Sequence, residues 1–218
     1  MDILDTLQLI IPLFAGLAAL TAFVVIWWRK GRSIEGVADA LGLPFAWTVP
    51  YDLARTGLNV FTKGSDHEVT NQLSGISVAG AKARFFDHKF YYSGEGKKGR
   101  YLLTAALFEF EKPLFPAFTL SPGGFFGRFA ADFGGKAIDI PGAGEFSDKY
   151  RLSGKDKAAL SAFWTPARVH GFIMPARCTA EAAGRWLVFY RFAVTVDAKS
   201  YPAFIEEAKS AAEALVRP

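Results

Sequence analysis

The chain is poor in the residues that most chemistry needs. Its 218 residues contain one cysteine, Cys178, and three histidines, His67, His88 and His170. A single cysteine excludes a disulfide framework and agrees with a reducing compartment. No two histidines fall at metal-ligand spacing, and Cys178 stands eight residues from the nearest, His170, so no local metal motif exists. Gly-x-Ser-x-Gly and comparable nucleophile patterns are missing, as are internal repeats and low-complexity tracts. No catalytic residue, metal ligand or cofactor site is therefore expected. The net charge is only +4, with 25 basic against 21 acidic side chains. Spread over a domain of this size, that is too weak a field to argue for nucleic acid.

Charge is also lacking at the start. From Leu7 to Trp28 the sequence reads LQLIIPLFAGLAALTAFVVIWW, 22 residues without a charged side chain. As a helix this run is about 33 Å long, enough to cross a hydrocarbon core of about 30 Å. A cleavable signal peptide would carry a basic start and a small-residue cleavage site. Here Asp2 and Asp5 precede the run and Trp27–Trp28–Arg29–Lys30–Gly31–Arg32 follows. An uncleaved anchor is expected over residues 1–32, with residues 33–218 as the domain. Trp27 and Trp28 suit an interfacial aromatic belt, and Arg29, Lys30 and Arg32 form a basic membrane-interface cluster. That asymmetry puts the N-terminus outside a bacterial inner membrane and the domain in the cytoplasm, with the lipid bilayer as first partner. Ala15 and Ala19 lie four apart, as do Ala18 and Ala22, and small residues at that spacing admit a second transmembrane helix.

Glycine and a basic residue meet in Ser93–Gly94–Glu95–Gly96–Lys97–Lys98–Gly99–Arg100–Tyr101, one step from the phosphate-loop pattern. A phosphate loop joins a strand to a helix. Here strand-like sequence stands on both sides, Arg100 replaces the lysine and Tyr101 the magnesium-binding hydroxyl. A hairpin tip is expected, without nucleotide.

The rest of the domain predicts an α+β fold: an antiparallel sheet with several short helices behind one transmembrane helix. Ser33 caps a short amphipathic helix with Ile34, Val37 and Leu41 on one face, closed by Gly42. A looser stretch carries Pro44, Pro50 and Gly57. Aromatic and β-branched residues from Val69 to Glu111 predict a three-stranded meander broken at Gly80. Ser153 and Asp156 make a capping pattern before KAALSAFW, and Thr165–Pro166 open another helix. RWLVFYRFAVTV predicts a strand. A closing helix places Phe204, Ala208, Ala211 and Leu215 on one face.

The order ADALGLPF, NQLSGISVAGAKARFFDHKFYYSGEG, PAFTLSPGGFFGRF, GGKAIDIPGAGEFSDKYRLSGKDKAAL and LVFYRF is similar to that of a widespread family of uncharacterised bacterial membrane-anchored proteins. The resemblance runs from about Ala38 to Val194 and is most specific over Ile138–Tyr150. It departs at Asp87–His88, where such proteins more often carry Asp-Tyr. It implies one span and one α+β domain, and it transfers no activity and no catalytic residue.

Among candidate chemical groups, Asp87 beside His88 and Asp139 near Glu145 could be imagined as acid and base, but such a pair needs a cleft and split pKa values, which a sequence does not show, and structural roles are expected. Arg177 next to Cys178 is a cation able to lower a thiol pKa, but an inert structural thiol is expected. Phe125, Phe126, Phe129 and Phe133 form an aromatic stripe at helical spacing, either core or a docking face. Together these features predict a single-pass accessory subunit packed against the helices of a larger membrane complex, for which photosynthetic and respiratory energy-transducing complexes are typical hosts. The alternative is a membrane-tethered lipid- or ligand-binding module, and an unrecognised enzyme ranks third.

Overall fold

The computed structural model describes residues 21, 24, 25, 33–94, 97–123, 137–140 and 144–217. Of the expected span, only Thr21, Val24 and Val25 are among them, helical and exposed. The Ala15, Ala18, Ala19 and Ala22 pattern, the Trp27–Arg32 cluster and the Phe125–Phe133 stripe lie outside the described residues. Among the described residues no helix is long and apolar enough to cross a membrane.

An α+β architecture is present. Helix α1 (33–41) precedes β1 (Phe45–Val49), and a 3-10 turn (Leu53–Thr56) and α2 (Asn59–Thr62) lead into the meander. The meander consists of β2 (Ser65–Val78), β3 (Ala81–Gly94) and β4 (Lys97–Phe110). There follow β5 (Phe115–Pro122), β6 (Ala137–Ile138), α3 (Gly144–Lys149), β7 (Tyr150–Ser153), α4 (Lys157–Phe163), α5 (Pro166–Gly171), β8 (Thr179–Gly184), β9 (Trp186–Arg191) and α6 (Tyr201–Val216). The strands form one nine-stranded sheet in the order β1-β2-β3-β4-β9-β8-β5-β7-β6, antiparallel at every described pairing.

Both faces of the sheet are covered. That explains why β3 is apolar at neighbouring positions instead of alternating. Phe85 joins a large core with Phe108, Phe189, Ile34 of α1 and Phe204, Ala208, Ala211 and Leu215 of α6. Its neighbour Phe86 faces the other way, with Leu103, Ala105, Leu107 and Val188. This second face is covered by Leu53, Leu58, Val60 and Phe61 from the stretch between β1 and β2.

The hairpin expectation holds. Gly94 of β3 pairs with Lys97 of β4, so the two strands form an antiparallel hairpin. Gly99 is not part of the turn but pairs with Tyr92 inside the ladder. The Gly80 break is also a two-residue turn, with Ala79 at φ 49° and Gly80 at φ 78°, as a tight hairpin requires.

Four local expectations need correction. Leu41 is exposed, and Ala38 takes its place beside Ile34. The loose stretch contains β1 and the covering turn. The cap of α4 is Asp156, which accepts the Ala159 N–H, whereas Ser153 is buried in β7 and donates to the Thr119 carbonyl. Finally, β8 was not expected, because Thr-Ala-Glu-Ala-Ala-Gly has helical composition. It is a strand because it sits between β9 and β5 with its first four residues buried. The Thr165 cap and Pro166 start of α5 are as expected.

Candidate functional site

A cleft of about 640 Å³ lies between α3, the start of β7, and α5 with the residues after it. Volumes of this order suit small-molecule ligands. Its apolar side consists of Phe146, Tyr150, Val169, Phe172 and Ile173, and its polar rim of Glu145, Lys149 and His170. Phe146 and Phe172 are nearly buried, while Ile173 is 78% exposed at the mouth. Behind the walls, Trp164 contacts Phe146 at 5.0 Å and Phe172 at 5.4 Å, tying both to the core. The Tyr150 hydroxyl accepts the Met174 N–H at 3.3 Å and so anchors the segment that carries Ile173. On the rim, Glu145 and Lys149 form an exposed ion pair at 3.8 Å, one helical turn apart. The cleft thus has an apolar interior and a charged mouth, suited to an amphiphile.

A second set of polar groups is brought together by the sheet. His67 of β2 and His88 of β3 approach to 3.0 Å between Nδ1 and Nε2. Their planes are parallel within 3° and their centroids are 5.2 Å apart. At that spacing such a short contact sets the rings edge to edge, sharing one proton. A nitrogen lone pair used in this way is not free for a metal. Among the described residues no group of three His, Cys, Asp or Glu is placed to hold one. Tyr51 lies parallel to His67 at 4.7 Å, and Phe90 parallel to His88 at 5.1 Å. His170 is elsewhere, on the cleft rim.

His88 is fully buried, and its Nδ1 has no partner. Burial, followed by the neighbouring His67, pushes its pKa down to about 3. Burial also lowers His67. A histidine held neutral in the fold takes up a proton on unfolding. Its contribution is complete above about pH 6.5 and is lost as pH falls toward 3. Replacing His88 with Phe is therefore expected to remove about 3 kcal/mol of acid destabilisation at pH 4. The measurement is the difference in urea stability between wild type and His88→Phe at pH 7 and pH 4, so that shared titrations cancel. A constant difference would mean that His88 is accessible to protons.

Asp87, next in sequence, points to the opposite face. It accepts from Asn71 Nδ2 at 2.9 Å and Thr104 Oγ1 at 2.6 Å, and Thr104 Oγ1 in turn accepts the Val196 N–H at 2.8 Å. Asp87 and His88 are thus no catalytic pair, because consecutive strand residues face apart. Asp139 is exposed between buried Ile138 and Ile140. Cys178 is buried, and burial pushes its thiol up to about 12 against the opposing pull of Arg191, which disfavours the nucleophilic thiolate.

Sequence reasoning missed Glu181. This residue of β8 is 1% exposed. Its Oε1 accepts the Tyr190 hydroxyl at 2.7 Å, and its Oε2 accepts the Asn59 N–H at 2.7 Å and the Val60 N–H at 3.4 Å. The available signal was a lone acid in a run of small apolar residues. It carried no meaning until β8 was known to be a central strand.

No protein-family model matches the chain, and no curated protein matches it. A solved structure does: the crystal structure of the mycobacterial trehalose monomycolate transport factor A, TtfA. The TM-score is 0.58 at 13% sequence identity, over 86% of this chain and 94% of that one. At this identity the likeness is one of fold.

Proposed function

We propose that the chain is a membrane-tethered accessory module whose domain binds a lipid, its apolar part in the cleft and its head group at the Glu145, Lys149 and His170 rim. The observation that carries this reading is the cleft itself: aromatic and aliphatic inside, charged at the mouth, and about 640 Å³ in volume. Two further points support it. The apolar Leu7–Trp28 run precedes the domain by a few residues, which would keep the cleft near a bilayer. The fold is like that of a protein named as a trehalose monomycolate transport factor. Glu145 and Lys149 pair with each other, and the reading includes no reaction step. Docking on a larger complex, the other role that the sequence suggests, rests on Ala15, Ala18, Ala19, Ala22 and the Phe125–Phe133 stripe. Nothing among the described residues favours it.

The test is native mass spectrometry of the full chain released from gentle detergent, with Ile173→Asp beside wild type. Ile173 is 78% exposed, so the substitution should change stability by less than about 0.5 kcal/mol. It places a charge where the acyl portion enters, and bound lipid is expected to fall at least about tenfold. Equal lipid on both proteins, or none on wild type, would remove the cleft as a lipid site.

A further inference from the structure

Strand β4 outruns one of its neighbours. β9 ends at Arg191, opposite Thr104, whereas β4 stays paired with β3 from Phe110 back to Lys97. The Phe110 N–H donates to the Arg185 carbonyl and the Thr104 N–H to the Val194 carbonyl, so the even-numbered residues of β4 turn their backbone groups toward the β9 side. The β3–β4 register has no shift, so Lys98, Arg100 and Leu102 keep that direction where β9 has ended. Among the described residues nothing pairs with the backbone of these three, and β4 has an open edge there.

The side chains along that edge are two cations and an aliphatic. Lys98, Arg100 and Leu102 alternate onto the face that carries Thr104, and all three are exposed. Among the described residues no acid pairs with Lys98 or Arg100. Acids in this part of the sheet have other partners: Glu68 pairs with Lys89 at 2.8 Å, Asp66 accepts from the Ser65 hydroxyl at 3.4 Å, and Asp197 accepts the Ser200 N–H at 2.8 Å. Leu102 is 38% exposed, and Val194, bonded to Thr104 on the same edge, is 54% exposed.

We propose that this end of the β3–β4 hairpin docks on an anionic bilayer surface, with Lys98, Arg100 and the open N–H groups at lipid phosphates and Leu102 and Val194 at the acyl boundary.

The chemistry of the edge selects that occupant. Unpaired cations beside unpaired N–H donors match phosphate oxygens. Aliphatic side chains next to them suit an interface that takes charge and hydrocarbon together. A second copy of the chain fits badly. Antiparallel pairing of two such edges about Arg100 sets the two Arg100 side chains opposite each other, and like charges there are destabilising. Cations also guard open edges against pairing with other chains, a role that needs no lipid. The experiment separates the two roles. The dock is distinct from the cleft and requires neither a lipid bound there nor the Leu7–Trp28 anchor.

The experiment uses the full chain with Ser93→Cys, labelled with a fluorophore. Ser93 is exposed opposite Lys98, and buried Cys178 does not compete for the label. The chain is mixed with lipid nanodiscs of phosphatidylcholine alone or with about one-third phosphatidylglycerol, each with a nitroxide on a fraction of the head groups. Quenching of the label reports the docked fraction. The docked-to-free ratio is expected to be on the order of 30-fold higher in the anionic discs, since each cation at such a surface contributes about fivefold. It is expected to return to the neutral-disc level in Lys98→Gln with Arg100→Gln, and at about 1 M salt. Equal quenching in both disc types, or quenching that survives the double substitution, overturns the proposal and leaves the cations as edge guards. Retention of the chain by neutral discs measures the anchor separately. A chain held there without quenching in anionic discs keeps the anchor and loses the dock. A chain held by anionic discs alone, through Lys98 and Arg100, keeps the dock and loses the anchor. A chain held by neither loses both.

Discussion

Trp164→Ala is expected to destabilise the domain by about 3–5 kcal/mol, the usual cost of truncating a buried tryptophan. Trp164 is 1% exposed. Its ring meets Phe118 at 5.3 Å, Phe163 at 5.5 Å, Phe146 at 5.0 Å and Phe172 at 5.4 Å. Those four belong to β5, α4, α3 and the segment after α5, so one side chain joins the sheet to both walls of the cleft. Alanine there leaves a void that four aromatic rings line and cannot all fill. The indole Nε1 has no hydrogen-bond partner, so the loss is one of packing rather than of a polar contact. Trp164→Phe is accordingly expected to restore more than half of the lost stability. Urea unfolding of the three proteins at neutral pH measures this. A loss below about 1 kcal/mol for the alanine variant would show that the cleft walls repack independently of the core.

Asp87→Ala is expected to cost about 2–4 kcal/mol, the cost of stranding buried donors. Asp87 is 2% exposed on the α6 side of the sheet. It holds Asn71 of β2 and Thr104 of β4, and through Thr104 it reaches Val196 beyond β9. Alanine leaves the Asn71 amide without its acceptor, in a residue whose Oδ1 is already unpaired. It also removes the negative charge that, after burial, raises the Tyr201 hydroxyl. The comparison is Asp52→Ala, whose carboxylate pairs with Arg55 at 3.0 Å and Arg84 at 3.3 Å while 40% exposed. That exposed cluster is expected to contribute no more than about 1 kcal/mol. Urea midpoints of both variants test the contrast, and equal losses would mean that the Asp87 network is hydrated in the fold.

Much of the architecture was legible because its signals are local. The aromatic and β-branched run from Val69 to Glu111 yields β2, β3 and β4, since strand propensity and glycine turns act over a few residues. Phe204, Ala208, Ala211 and Leu215 mark the buried face of α6 through their helical spacing, and all four are buried. Where local signals mislead, burial is the reason. Ala-Glu-Ala-Ala favours a helix in isolation, but β8 gains two strand partners and a place in the core.

The site was less legible, for a reason visible in β2. Its register against β3 shifts between Ser65 and Glu68, between Thr70 and Leu73, and between Leu73 and Ile76. Asp66 and Asn71 accommodate this with φ of 53° and 52°. Each bulge changes which side chains share a face, and no residue pattern announces where the extra residue falls. Alternation alone therefore gave no hint that His67 meets His88, or that Asn71 meets Asp87.

By itself the sequence determined the α+β class, the hairpin that joins β3 and β4, the cap at Thr165 and the absence of a local metal or nucleophile motif. Each depends on residues within a few positions of one another, where propensity, period and hydrogen-bonding reach suffice. Only the tertiary structure decided the edge-to-edge histidine pair, the cleft assembled from α3, β7 and α5, and the contact of Glu181 with Asn59. These join segments tens to more than a hundred residues apart. Their energies depend on register, burial and the dielectric of a closed core, none of which exists before the chain has folded.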